Sequence, residues 1–254
     1  MLPGSPWTIA KSEHLYGFEY WGAGYFGVNG QGNACIRPEG PGGPEFDLNE
    51  LVEAARQRDI RLPILFRFSG ILRHRLRTLH NAFTAAMAEY DFKGAYRPVY
   101  PIKVNQQRHV VTELIRAGRD LSLGLEVGSK PELVAALALP DNQNALLICN
   151  GYKDRQYLEL AMMAQRVGRE VIVVIEKPSE VDLLLDISRE QKLEPNFGFR
   201  LRLAGRGAGR WERSGGERAK FGLNVAEIVT AIKLLTKHGK QDWVRLVHFH
   251  NGSQ

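Results

Sequence analysis

The regular alternation of short apolar runs with helix-like segments, beginning near residue 99, constrains the fold more than any other feature. The apolar runs are typical of buried strands and lie at 99–105, 123–129, 146–151, 171–177, 197–203 and 244–250. Segments with helical spacing fill most of the gaps, at 106–117, 131–138, 153–167, 179–191 and 225–238. Strands that alternate with helices indicate βαβ units and a parallel sheet. The sequence therefore predicts an α/β fold, either a βα barrel or a doubly wound sheet.

The strand count favours an incomplete barrel, because a closed βα barrel has eight strands and this pattern provides about six. Upstream, residues 62–68 are a further strand candidate, and apolar residues spaced three or four apart between 72 and 87 predict a helix that packs into the core. Residues 1–47 are rich in Gly, Pro and aromatics, which predicts short strands and turns without a helical period. We expect an extended N-terminal segment over 1–61 and the partial barrel over 62–254.

Composition and charge narrow the functional class. The chain has 254 residues and a net charge of +6, but its basic residues are scattered, so the compact basic patch of a nucleic-acid-binding protein is not expected. No apolar run is long enough to span a membrane, and the first residues lack a signal-peptide pattern. Cys35 and Cys149 lie far apart without metal-like spacing, which indicates a reducing compartment. A cytoplasmic protein is the default expectation.

Lys103 is the residue that points most directly to chemistry. It lies at the end of the first regular apolar run, in the stretch Tyr-Pro-Ile-Lys-Val-Asn-Gln at 100–106. The carboxyl ends of barrel strands form the mouth in which βα-barrel enzymes place their active sites. A desolvated lysine there loses its proton more readily and forms a Schiff base with an aldehyde. Taken alone, the spacing favours a surface lysine at a strand end, because such lysines are common.

Polar residues at the ends of the other predicted strands strengthen the functional interpretation. They are Asn105, Glu126, Ser129, Asn150, Gly151, Arg200, Arg202, His248 and His250. If they share one face, they combine an amine, a carboxylate, imidazoles and guanidinium groups in one mouth. His248 and His250 alternate along the strand and should face one side, so one is a candidate ligand-facing ring and the other a core histidine.

Three other motifs are rejected. The stretch Gly-Arg-Gly-Ala-Gly at 205–209 lacks the third glycine of a dinucleotide-binding loop, and no helix follows it promptly. A Walker-type phosphate loop is absent from the sequence. The two C-terminal histidines have no third ligand with suitable local spacing, so no metal site is predicted.

Several longer motifs resemble the biosynthetic arginine decarboxylases, and the similarity runs over nearly the whole chain. The motifs are residues 20–29, the lysine stretch 100–106, Gly-Leu-Glu-Val-Gly-Ser-Lys-Pro-Glu-Leu at 124–133, Cys-Asn-Gly-Tyr-Lys-Asp at 149–154, Ile-Glu-Lys at 175–177, residues 209–217 with 220–223, and the terminal His-Phe-His-Asn-Gly-Ser-Gln. The resemblance implies a pyridoxal-phosphate enzyme with a barrel of the alanine racemase type, here incomplete, and an N-terminal segment that belongs to a second β domain.

The resemblance also implies roles for individual residues. Lys103 matches the lysine joined covalently to pyridoxal phosphate, His250 the histidine stacked on the cofactor ring, and Ser253 the serine near its phosphate. Glu126 and Glu132 match acidic positions close to the lysine. Arg202 matches a cofactor-proximal arginine, although Arg200 aligns there as an alternative.

The expected function is therefore the decarboxylation of L-arginine to agmatine, a polyamine precursor, with this chain as the N-terminal part of the enzyme. The family resemblance further implies a homo-oligomer and a magnesium ion, without nucleic-acid or membrane partners. Two alternatives remain open. One is an inactive fragment that only binds the cofactor or other subunits, and the other is a related decarboxylase of ornithine, lysine or diaminopimelate.

Overall fold

The computed structural model describes residues 6–139, 145–203 and 221–250. The chain divides into two compact units, Met1–Tyr96 and Arg97–Gln254. The boundary expected between residues 61 and 62 lies inside the first unit. The long helix at Ser69–Glu89 therefore belongs to the first unit and not to the barrel.

The first unit combines helices with a small antiparallel sheet. Its helices are α1 (Ile9–Tyr16), α2 (Phe18–Trp21), α3 (Leu48–Arg56) and α4 (Ser69–Glu89), and its strands are β1 (Phe26–Val28), β2 (Ala34–Ile36) and β3 (Phe46–Asp47). Within the described residues these strands form one sheet in the order β1-β2-β3, and both pairings are antiparallel. The strands and turns expected before residue 47 are thus found between residues 26 and 47.

The expectation that residues 1–47 lack helices is wrong, because α1 and α2 lie there. Local capping explains this, since neither helix has a buried residue that would give an apolar period. The Thr8 hydroxyl accepts a hydrogen bond from the Lys11 N–H at the start of α1, and Gly17 ends that helix with a left-handed φ of 65°.

The strand expected at residues 62–68 does not form, and the structure there is irregular. Pro63 has no N–H to donate to a sheet, and Leu62 and Leu65 are 63% and 76% exposed. The helix expected next is present as α4, but its apolar stripe is only partly core. Leu76 is buried, whereas Leu79 and Phe83 are 49% and 46% exposed, so the stripe packs into the core only in part.

The second unit contains the predicted parallel sheet. Its strands are β4 (Val99–Pro101), β5 (Gly124–Val127), β6 (Leu146–Cys149), β7 (Glu170–Ile175), β8 (Phe197–Arg200) and β9 (Val244–His248). Its helices are α5 (Arg108–Ala117), α6 (Lys130–Leu137), α7 (Arg155–Arg166), α8 (Ser179–Gln191) and α9 (Val225–Lys237). In the described part of the chain the six strands pair in sequence order, and every pairing is parallel. The α/β prediction is confirmed.

An ion pair at the amino end of the sheet shows that the sheet is curved. Arg97 precedes β4, yet its guanidinium donates to both carboxylate oxygens of Glu170 at the start of β7, at 2.7 and 2.6 Å. β5 and β6 lie between these two strands in the sheet order. A side chain bridges that separation only where the sheet bends as a barrel wall does. The second unit is therefore a partial βα barrel.

Candidate active site

Lys103 lies at the carboxyl edge of the sheet, immediately after the first strand. The expected strand stops at Pro101, and Lys103 belongs to a 3-10 turn formed by Ile102–Val104. Ile102 is buried and fixes this turn in the core, whereas the Lys103 side chain is exposed. The amine is therefore carried by an anchored turn and remains accessible to a ligand.

Glu126 and Asn150 meet at the ends of the next two strands. Glu126 is only 8% exposed, and its Oε1 accepts a hydrogen bond of 2.9 Å from Asn150 Nδ2. The other polar atom of each side chain, Glu126 Oε2 and Asn150 Oδ1, is buried and has no hydrogen-bond partner among the described residues. Buried polar atoms are normally satisfied, so these two atoms mark a place where a further polar group fits.

Glu132 ties the lysine segment to the next loop. Its Oε2 accepts the Gly128 N–H at 2.6 Å, and its Oε1 accepts the side-chain amide of Gln106 at 2.8 Å. Gln106 follows Lys103 by three residues, so this carboxylate joins the ends of β4 and β5. Ser129 caps α6, its hydroxyl accepting the Glu132 N–H at 3.4 Å.

His248 is the last residue of β9 and lies among charged groups. Burial, followed by the positive charge of Arg200, lowers the pKa of His248 to about 4, while Glu176 opposes the shift. His250 and Lys103 contribute smaller shifts of this pKa in the same direction. His248 Nδ1 is buried without a hydrogen-bond partner in the described residues. His250 is exposed and follows the strand.

The two arginines of the β8 segment make different contacts. Arg200 donates from Nη1 to Glu176 Oε2 at 3.1 Å, and its guanidinium lies 5.2 Å from the ring centre of Phe221. Arg202 donates from Nη2 to the Gly222 carbonyl at 2.7 Å. Arg200 therefore pairs with a strand-end carboxylate, whereas Arg202 binds the backbone.

The structure brings together most of the residues that the sequence singled out. Ser253 lies outside the described residues, as do the rejected glycine stretch 205–209 and the motif 209–217. The site roles given above to Lys103, His250, Glu126, Glu132 and Arg202 stay predictions.

Sequence reasoning did not select Glu176 as a site residue. It follows β7 directly and is 3% exposed. The sequence does contain a signal for Glu176, because it is a charged residue directly after a long apolar run. The same signal indicated Lys103.

Within residues 6–139, 145–203 and 221–250, no group of three or more His, Cys, Asp or Glu side chains could hold a metal ion. None of the described helices combines the length and the apolar character that crossing a membrane requires.

A parallel barrel wall with an accessible lysine after its first strand, and unsatisfied acidic, amide and imidazole groups at the same edge, defines an enzyme-like site for a polar ligand. The family model for the pyridoxal-dependent decarboxylases, pyridoxal binding domain, matches residues 74–254. The chain belongs to this family.

Individual relatives agree with this assignment. The chain is 49% identical over 250 residues to the biosynthetic arginine decarboxylase of Thermosynechococcus vestitus, covering 98% of this chain and 39% of that protein. It is 46% identical to the enzyme of the same name from Rhodopirellula baltica, with 98% and 37% of the two chains covered. The chain thus spans about two fifths of the length of these relatives.

A crystal structure of the biosynthetic arginine decarboxylase of Campylobacter jejuni superposes with a TM-score of 0.80 at 32% identity, over 94% of this chain and 38% of that one. A diaminopimelate decarboxylase from M. jannaschi is similar in fold, with a TM-score of 0.58 at 19% identity over 91% of this chain and 47% of that one. The expectation of an alanine-racemase-type barrel shared by such decarboxylases is confirmed.

Proposed function

We propose that this chain is the N-terminal, cofactor-binding part of a pyridoxal-phosphate enzyme that decarboxylates L-arginine to agmatine. The observation that carries the proposal is the position of Lys103, which is exposed on the turn after β4, at the same edge of the sheet as the unsatisfied atoms of Glu126, Asn150 and His248. The choice of arginine over other basic amino acids rests on the relatives named biosynthetic arginine decarboxylase.

The residues at the carboxyl edge fit pyridoxal phosphate. The cofactor has an aldehyde, a phenolic oxygen, a ring nitrogen and a phosphate, and the edge offers an amine together with the buried, unsatisfied atoms Glu126 Oε2, Asn150 Oδ1 and His248 Nδ1 in the described residues. When bound, the cofactor supplies an electron-withdrawing ring that takes up the electron pair left when the carboxylate departs.

Lys103 would hold the aldehyde of the cofactor through its ε-amine, which would require that the amine lose its proton. His248 favours this arrangement because its lowered pKa keeps its ring neutral near pH 7, so that it adds no further positive charge beside the lysine. A neutral imidazole also has one acceptor nitrogen that can bind a proton. His248 thus joins the site residues inferred from the resemblance.

Glu126 and Glu132 place two carboxylates on the β5–α6 segment beside the lysine turn. Glu126 is held by Asn150, and Glu132 is held by Gly128 and Gln106, so neither carboxylate is free to rotate. Fixed carboxylates orient a bound amino group and stabilise its positive charge at low reorganisation cost. His250, Ser253 and Arg202 are proposed to contact the cofactor, on family resemblance alone.

The whole enzyme is proposed to be a cytoplasmic homo-oligomer that acts on a small-molecule substrate, without nucleic-acid or membrane partners. A magnesium requirement is carried only by the family resemblance, and the described residues provide no cluster to bind the ion.

The first test is titration of the 254-residue chain with pyridoxal phosphate, followed by visible absorbance. We expect a band from the covalently bound cofactor that Lys103→Ala abolishes. Lys130→Ala is the matched control, because the Lys130 amine is ion-paired with Asp154 at 2.6 Å and should not react. A band of equal size in Lys103→Ala would contradict the assignment of the lysine.

The second test supplies L-arginine and measures agmatine and released carbon dioxide, in this chain and in a longer chain of the relatives' length. Arginine turnover in the longer chain supports the proposal. Turnover of lysine, ornithine or diaminopimelate in its place would overturn the choice of substrate. Cofactor binding by the 254-residue chain without turnover would identify it as a binding fragment.

A further inference from the structure

Lys153 is a buried lysine that the proposed chemistry does not use. Its side chain has no solvent exposure, and its Nζ donates to the Gly151 carbonyl and lies 3.6 Å from Glu180 Oε2. Burial lowers the pKa of Lys153, while the carboxylates of Glu180 and Glu176 oppose that shift. A buried lysine is costly unless it is paired, so this position calls for an explanation.

Two buried carboxylates connect Lys153 to the candidate site. Glu180 Oε1 accepts the Lys153 N–H at 3.0 Å, and its Oε2 accepts the Glu176 N–H at 2.8 Å. Glu176 Oε1 accepts the Gly151 N–H at 2.8 Å, and its Oε2 accepts Arg200 Nη1 at 3.1 Å. The side chains of Glu180 and Glu176 are 3% and 1% exposed.

The charges of this network balance, since two carboxylates face one ammonium and one guanidinium. Only Arg200, with 20% of its side chain exposed, reaches from the network toward the ligand-facing edge, where its charge acts on His248. Cys149 also faces Lys153, but burial raises the pKa of its thiol to about 12, so it stays neutral.

We propose that Lys153 and Glu180 form a buried positioning pair that fixes the Glu176 carboxylate and thereby holds Arg200 at the carboxyl edge of the barrel. The pair touches neither substrate nor cofactor and acts through Glu176. The proposal rests on the proposed function only for the identity of the ligand that Arg200 faces.

Replacement of Lys153 by methionine keeps the length of the side chain but removes its charge. Two buried carboxylates then face only Arg200, and their repulsion raises the pKa of one of them above its unfolded value. When folding raises the pKa of a carboxyl group, the unfolded chain releases the proton at a lower pH than the folded chain does. The folded state is therefore not penalised at low pH, and it loses stability as the pH rises through the folded pKa. The stability deficit of Lys153→Met should therefore grow between about pH 5 and about pH 8.

Equilibrium unfolding across this pH range tests the proposal without any ligand. Lys153→Met/Glu180→Gln restores the charge balance and should remove the pH-dependent part of the deficit. Lys130→Met is the surface control, because it also deletes a lysine paired with a carboxylate but in an exposed position, and it should show no such trend.

If Lys153→Met does not fold, a folded double variant supports the proposal. A double variant as impaired as the single one, or a single variant that behaves as wild type, overturns it.

Pyridoxal-phosphate affinity tests whether the pair acts through Arg200. We expect Lys153→Met to weaken binding roughly tenfold, the size typical of outer-shell partners. The same substitution in an Arg200→Gln background should have little further effect, because the group that it positions is gone. Equal weakening in both backgrounds overturns the positioning role. A wild-type chain that binds no pyridoxal phosphate contradicts the proposed function, whereas the unfolding test still decides the role of the network.

Discussion

The central and outer strands of the partial barrel differ in burial and in what they carry. β5 to β8 are buried along nearly their whole length, and the residues of β5 are all buried. β4 is half-buried throughout, and β9 alternates between half-buried and exposed residues, with Val247 63% exposed. His248 nevertheless ends β9, and Lys103 lies in the turn directly after β4.

This difference separates the residues that stabilise the barrel from those proposed to perform its chemistry. The central strands contribute the apolar core and present polar groups only where they end, as Glu126 and Glu176 show. The outer strands contribute fewer buried atoms but carry the amine and the imidazole. Because the sheet is curved, its outermost strands approach one another, and the ends of the central and outer strands share one carboxyl edge.

The largest expected effect is the loss of a central side chain. Phe197 on β8 is fully buried and packs edge-to-face on Phe199 at 5.5 Å. Phe197→Ala should lower the free energy of unfolding by about 3–5 kcal/mol, because it removes a large buried side chain and leaves a cavity. Val247→Ala on β9 should cost less than about 1 kcal/mol. Chemical denaturation of both variants measures the contrast, and equal losses would contradict the distinction between the strands.

An intermediate effect is expected from acid acting on His248. Its folded pKa is about 4, against 6.5 for an unburied imidazole, and burial is the main cause. Above the unfolded pKa the ring is neutral in both states. As the pH falls toward about 4 the unfolded chain binds the proton first, so stability is lost in this window, by about 3 kcal/mol.

His248→Asn should remove this part of the acid sensitivity, as measured by unfolding at several pH values. The exposed His109 on α5 provides the control, since His109→Asn should leave the pH dependence as it is in the wild type. An unchanged acid response in His248→Asn would show that the ring is not held neutral by its surroundings.

The smallest effect is expected at the opposite end of the sheet. Glu170 is partly exposed, and its hydrogen bonds with Arg97 lower the pKa of its carboxyl group. Glu170→Gln should cost below about 1 kcal/mol, and salt should diminish the difference from the wild type. Unfolding at low and high salt measures it. A loss as large as that of Phe197→Ala would show that this ion pair, and not the core, determines the curvature.

The helices and strands of the second unit could be predicted well because their signals are local. Apolar runs and helical spacing located every one of its named elements, with boundaries displaced by only a few residues. The first unit was harder to predict because short helices such as α1 depend on caps such as Thr8 and Gly17, which leave no apolar period. Leu62–Phe68 shows the reverse error, since apolar composition alone does not make a strand where backbone donors are missing and the side chains stay exposed.

The sequence by itself determined the class of fold, the family and the polar residues that end the strands, because periodicity and motifs are written along the chain. Only the tertiary structure decided which of those residues meet. The pairing of Arg200 with Glu176 depends on the register of β7 beside β8. The burial of Lys153 likewise results from packing between loops distant in sequence, and spacing cannot reveal it because burial depends on the three-dimensional surroundings of the side chain.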